Sequence, residues 1–252
     1  MSVRDDLVPA LKKLRLSGIL GSLDLRIDEA VRAHLSHEEL LLRLLSDEVE
    51  RRDTRQTQAR LAHANFEHRK TLEDFDFTFN PGVSRAAVTE LATCNFVGQH
   101  RNVLLVGPTG TGKSHLAQSL GHRACMAGHT ALFIPAHTLF MELRAARADG
   151  SREKRLRQFA KLDLLILDDL GLRPLTDEEP LDLYDIIRSR YERAATVITS
   201  NRSVEEWYPL FRDELLASAA MDRLLHHAHV LEMTGRSYRT RGTDKLGGDE
   251  AA

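Results

Sequence analysis

From residue 102 onward, short apolar runs alternate with longer stretches of helical period. The runs occupy 102–107, 130–135, 163–169, 195–200 and 230–233, and each gap between them exceeds 20 residues. That is enough chain for a crossover helix, so the pattern predicts a five-stranded parallel sheet buried between helices. In the gap before 195, Pro180 suits a first helical position, and Leu181, Tyr184, Ile187 and Tyr191 are expected to form one apolar stripe. Ser203-Val204-Glu205-Glu206 reads as a capping box, with Pro209 closing the short helix behind it.

The first 80 residues carry no buried-strand pattern and read as helical. Ser36-His37-Glu38-Glu39 is a second capping box, directly before Leu40, Leu41, Leu42, Leu44 and Leu45. The helix it starts should run past Val49 to near Ala64. Between Thr71 and Pro81, aromatics alternate with acids, which suggests an extended linker with apolar anchors. The expected division is a helical domain over 1–70, a linker over 71–100, an α/β core over 101–240 and a disordered Gly- and Asp-rich tail over 241–252.

Composition narrows the class. The chain has 252 residues, ample for a self-sufficient core. Lys and Arg number 35 against 37 acids, a net charge of -2, so a globally basic, histone-like protein is excluded. The two cysteines, Cys94 and Cys125, cannot build a disulfide framework, and a reducing, cytoplasmic setting is expected. The start of the chain lacks the apolar stretch of a signal peptide, and no run is long enough to span a membrane.

The chemistry is concentrated in one motif. Gly107-Pro108-Thr109-Gly110-Thr111-Gly112-Lys113-Ser114 fits the phosphate-loop pattern, between an expected strand and an expected helix. Glycines there let successive backbone N–H groups turn inward onto a phosphate, and the helix start adds its positive end. Lys113 would reach the outer phosphates of ATP, and Ser114 would hold Mg²⁺. His115 is the next candidate contact. The run ending at Asp168-Asp169 would bring two carboxylates to the carboxyl edge of the sheet. Asp168 is the candidate Mg²⁺ partner and Asp169 the candidate base for the attacking water. Thr199-Ser200-Asn201 ends the next run, where Asn201 could touch the terminal phosphate or the water.

These motifs are followed by Met221-Asp222-Arg223-Leu224 and Gly235-Arg236-Ser237-Tyr238-Arg239. In this order they resemble AAA+ ATPases of the DnaA/DnaC branch. The leader narrows the resemblance: Leu42, Leu45, Asp47, Glu48, Arg51, Arg52, Ala64, Phe66 and the stretch 71–77 are similar to the IstB-type helper ATPases of bacterial insertion sequences. The resemblance implies an AAA+ ATPase that oligomerises in its ATP state on duplex DNA and recruits or stimulates the transposase of the same element. It makes Asn201 the first sensor, Arg223 an arginine finger acting on a neighbour's ATP, and Arg239 the candidate second sensor. Two departures stand out. Asp169 replaces the usual catalytic Glu, which favours slow turnover, and little chain follows Met233 to build a helical lid.

Two segments are locally basic. Residues 51–70 include Arg51, Arg52, Arg55 and Arg60; residues 144–157 include Arg144, Arg147, Arg152, Lys154, Arg155 and Arg157. With few interleaved aromatics, they read as sequence-tolerant contacts to DNA phosphates. His226-His227-Ala228-His229 lacks the companions of a metal site, and Trp207 reads as a packing residue. A DnaC-like replicative helicase loader would share the core but not the leader. A small-molecule kinase would explain neither Asn201 nor the helical leader.

Overall fold

The computed structural model describes residues 3–68, 70–78, 82–235 and 237–238. It divides into two compact units, Met1–Ala59 and Arg60–Ala252, with the division falling inside one helix.

The first unit holds α1 (Val3–Lys13), α2 (Ser17–Ala33) and most of α3 (His37–His63). The capping box forms as read: the Glu39 amide donates to Ser36 Oγ (3.2 Å), and the Ser36 amide donates to the Glu39 carboxylate (2.8 Å). The core is small, built from Leu11, Ile19, Leu23 and Leu44. Leu41, Leu42, Leu45 and Val49 point to solvent, so the leucine run of α3 divides between a buried and an open face. Glu48 lies buried and accepts the amides of Gly18 (2.5 Å) and Ile19 (3.3 Å), satisfying two orphan donors at the start of α2.

The second unit is the α/β core. After α4 (Arg85–Leu91) and α5 (Asn95–Gly98) come β1 (Val103–Val106), α6 (Lys113–Met126), β2 (Ala131–Pro135), α7 (Ala136–Ala148) and α8 (Arg152–Ala160). Next come β3 (Leu164–Asp168), α9 (Glu179–Arg190), β4 (Ala195–Ser200), a 3-10 helix at Glu205–Leu210, α10 (Glu214–Leu225) and β5 (His229–Glu232). All strands are parallel, in the order β2-β3-β4-β1-β5. Side chains alternate across the sheet as a period of two demands. Leu104, Val106, Leu165, Leu167 and Ile198 meet α7 to α10; Val103, Leu105, Leu164, Ile166 and Val197 meet α4 to α6. Doubly buried strands carry no polar alternation, which explains their continuous apolar runs.

The stripe expected on α9 is corrected. Leu183, Ile186 and Ile187 are buried, whereas Leu181 is exposed and Tyr184 only partly covered. The buried face also carries Asp182 and Arg190, which a hydrophobic stripe cannot reveal. The Arg190 guanidinium donates to the carbonyls of Phe159 (2.6 Å), Leu162 (2.9 Å) and Ala195, and to Thr196 Oγ1 (3.0 Å). It ties the end of α8 to the starts of β3 and β4. Burial pulls its pKa down to about 9, which leaves it charged at neutral pH. Trp207 is buried, and its indole N–H donates to Ser200 Oγ (3.2 Å). Among the described residues, no helix is long and apolar enough to cross a membrane.

Candidate functional site

The loop 107–112 leaves the carboxyl end of β1 and delivers the chain into α6 at Lys113. Gly107, at φ 138°, has no room for a side chain: a Cβ there would lie 2.2 Å from the Met233 carbonyl oxygen. Gly110, at φ 82°, meets Ser237 in the same way, and the Tyr238 amide donates to its carbonyl (2.9 Å). The strand end is therefore crossed by the chain that follows β5. Thr111 is buried and donates to the Pro108 carbonyl (2.9 Å). The Lys113 ammonium sits inside the loop, 2.7 Å from the carbonyls of both Gly107 and Pro108. The His115 Nε2 lies 3.0 Å from the Thr71 carbonyl, and its ring packs at right angles to that of Phe75, 5.5 Å between centroids.

β3 and β4 bring the carboxylates alongside. Pairing of Leu167 with Ile198 sets Asp168 and Thr199 side by side at the strand ends. Thr199 Oγ1 donates to Asp168 Oδ1 (2.5 Å) and accepts the Asp169 amide (2.9 Å), so one hydroxyl fixes both acids. Burial pushes the Asp168 carboxyl above its usual range; hydrogen bonds from Thr199 and Ser114 oppose that, and the charge of Asp169 adds to it. A buried carboxylate beside a serine hydroxyl, with no ion pair among the described residues, is an oxygen donor set that suits a hard divalent cation such as Mg²⁺. Asp169 adopts φ 56°, a left-handed conformation that turns it out of the strand. Asn201 follows β4, half-buried. Ser200 completes the frame: its carbonyl accepts the Gly107 amide (3.2 Å), and its hydroxyl donates to the Leu170 carbonyl (2.6 Å).

The loop, Ser114, Asp168, Asp169 and Asn201 thus share the carboxyl edge of β1, β3 and β4. The arrangement can hold a polyphosphate with a divalent cation and place a carboxylate for a water. Thr199 was not singled out from sequence, because its role depends on the strand register. Arg223 stands apart. It lies near the end of α10, next to the amino end of β5, where it donates to the Ala219 carbonyl (2.6 Å) and lies over the Tyr184 ring. Arg239 lies outside the described residues, as do the tail 241–252, Arg69 and Pro81.

The basic segments present less free charge than their composition suggests, because many of their arginines are paired within the protein. Arg147 (2.8 Å) and Arg152 (2.7 Å) both bind Asp182, and Arg152 also binds Asp185 (2.6 Å). Arg155 binds Glu142, and Arg144 approaches Asp177 and Glu179. Lys154 and Arg157 remain exposed. In the other segment, Arg52 binds Glu48 (2.6 Å) and Arg60 donates to the Cys125 carbonyl (3.0 Å), whereas Arg51 and Arg55 are exposed.

A family profile describing IstB-like ATP binding proteins matches residues 9–245. The chain is 38% identical over 237 residues to the IS21 insertion-sequence ATP-binding protein of Pseudomonas aeruginosa, covering 94% of this chain and 89% of that one. It is 40% identical over 208 residues to the IS5376 protein of Geobacillus stearothermophilus, covering 82% and 83%. Among solved structures, DnaI superimposes with a TM-score of 0.56 at 24% identity, over 67% of this chain and 90% of that one. The replication initiator DnaA bound to AMPPCP and single-stranded DNA superimposes with a TM-score of 0.56 at 21% identity, over 68% of this chain and about half (52%) of that one. These two likenesses give the AAA+ fold alone.

Proposed function

We propose, from the premise that this chain belongs to the IstB-like ATP-binding protein family, that it is an ATPase of transposition which assembles on duplex DNA and recruits or stimulates a transposase. The observation that carries the reading is the phosphate loop set beside Asp168 and Asp169, both fixed by Thr199. In this reading the loop amides and Lys113 hold the phosphates of ATP. Ser114 and Asp168 would hold Mg²⁺, which would supply positive charge to the phosphates. Asp169 accepts a proton from the attacking water, and Asn201 orients that water or the terminal phosphate.

Arg223 acts in trans. It lies at the amino end of the sheet, whereas its own phosphate loop lies at the carboxyl end. A four-residue strand alone spans ~13 Å at ~3.3 Å per residue, so Arg223 serves the nucleotide of a second copy. Such a finger is worth ~10³–10⁵ in rate, which ties hydrolysis to assembly. DNA phosphates are met by the exposed cations Arg51, Arg55, Lys154 and Arg157. Insertion-sequence relatives near 40% identity favour this partner class over a helicase loader, since the DnaI likeness speaks only to fold.

The test is sedimentation with ATP, with duplex DNA and with both, alongside phosphate release. The reading expects assembly with both ligands and DNA-stimulated hydrolysis. A chain that stays monomeric with both, and hydrolyses at the same rate without DNA, overturns it.

A further inference from the structure

At the amino ends of β4, β1 and β5, opposite the phosphate loop, the second unit opens a cleft of about 450 Å³. Three turns feed these strands, and each sets one left-handed residue on the cleft: His100 (φ 58°) before β1, Glu192 (φ 55°) before β4 and His227 (φ 55°) before β5. Glycine adopts that conformation at least cost and is the usual residue there after a helix. All three positions carry an ionisable side chain instead. Strained non-glycine backbone gathered at one cavity is a pointer to function.

The chemistry of the cleft is that of an anion site. His226 Nδ1 lies 3.2 Å from the Tyr191 hydroxyl and 3.9 Å from the Glu192 carboxylate, and its ring centroid lies 4.0 Å from that of His227. The α9 end presents Tyr191, Glu192 and the fully engaged Arg190; α10 presents Arg223, with Asp222 close by; the turn before β1 presents His100 and Arg101. Arg101, His100, His226 and His227 are exposed, and Arg223 is half-buried. The lining therefore holds two available guanidinium groups against one carboxylate, and each histidine adds charge when protonated. Guanidinium and imidazolium groups are donors without an acceptor, matched to phosphate oxygens.

We propose that this cleft receives the terminal phosphate of a nucleotide held by a second copy of the chain, with His226 and His227 joining Arg101 and Arg223 around it. The proposal rests on the trans role given to Arg223. It adds two imidazole donors to that role.

The experiment mixes two crippled chains. Lys113→Ala cannot use its own loop and supplies only its cleft; Arg223→Ala supplies only its nucleotide site. His226→Gln and His227→Gln are then placed together in one chain or the other. In the cleft-supplying chain they should lower the rescued turnover at least ~10-fold, as loss of donors to a developing phosphate charge does. In the nucleotide-supplying chain they should leave the rescued turnover within about twofold, far short of an oxyanion-donor loss. Equal loss in both placements, or loss in neither, overturns the proposal. If the two parent variants do not rescue each other, the assignment of Arg223 fails by itself. The cleft is then judged by ATP-dependent self-association of the otherwise unaltered chain: weakening by the histidine pair of substitutions upholds it, and unchanged association overturns it. Both residues are exposed, so unchanged thermal unfolding is the control for folding.

Discussion

Asp169 shows how one residue can combine chemistry and conformation. Its left-handed backbone turns it away from β3 while its amide is held by Thr199. Asparagine tolerates the same φ and is nearly isosteric, so Asp169→Asn removes the carboxylate with little strain. We expect ATP binding to survive and turnover to fall by ~10²–10⁴, the usual contribution of a positioned general base. Single-turnover hydrolysis read beside nucleotide titration separates the two, and equal turnover in both chains would remove Asp169 from the base role. The loop and both aspartates were legible in the sequence because their spacing repeats a chemical need. Thr199 was not: a threonine ending a strand is ordinary until the β3–β4 register sets it against Asp168.

At the scale of elements, α7, α8 and α9 are joined by arginine–carboxylate pairs around Asp182, which is 1% exposed. Arg147 and Arg152 bind it from two helices, and Arg155 returns to Glu142 on α7. Read linearly, 144–157 is a block of positive charge; folded, much of that charge is spent within the protein. The reason is geometric. A helix pairs residues with partners brought from 30 positions away, such as Arg152 with Asp182, and linear charge counting misses them. The α9 stripe failed for a related reason, since its buried face includes an acid and an arginine satisfied by neighbours. Two substitutions should therefore behave differently. Arg152→Ala leaves a buried carboxylate short of a partner and should cost about 1–3 kcal/mol of stability, measured by denaturant unfolding. Lys154→Ala with Arg157→Ala should change stability by less than about 0.5 kcal/mol. The same pair should flatten the slope of log K against log salt for duplex DNA by up to ~1.8, at ~0.9 per lost phosphate contact. An unchanged slope in the folded double variant would move the DNA contact to Arg51 and Arg55.

At the scale of the whole molecule, the α/β architecture was the most legible feature. Strands buried on both faces, as β1, β3 and β4 are, must be continuously apolar, and crossover helices must separate parallel strands, so five runs at long spacing admit few alternatives, although the edge strand β5 leaves Val230 and Glu232 exposed. The division into two units was less legible, because α3 continues through it without a break in pattern. Each unit nevertheless has its own core, Leu11, Ile19, Leu23 and Leu44 in the first and the two faces of the sheet in the second. Separate cores imply separate opening reactions. A ligand stabilises only the unit that must be folded to bind it, by RT ln(1 + [L]/Kd), which is ~2.7 kcal/mol at a hundredfold excess over Kd. Mg²⁺ and a non-hydrolysable ATP analogue, without DNA, should then slow amide exchange about 100-fold in globally opening amides of β1, β3, β4 and α6. Exchange in α2 and in residues 37–59 of α3 should stay unchanged. Hydrogen exchange read by mass spectrometry resolves the two sets of peptides in one experiment. Equal slowing in both would mean that the chain opens as one cooperative body, and nucleotide binding would then report directly on the helical unit.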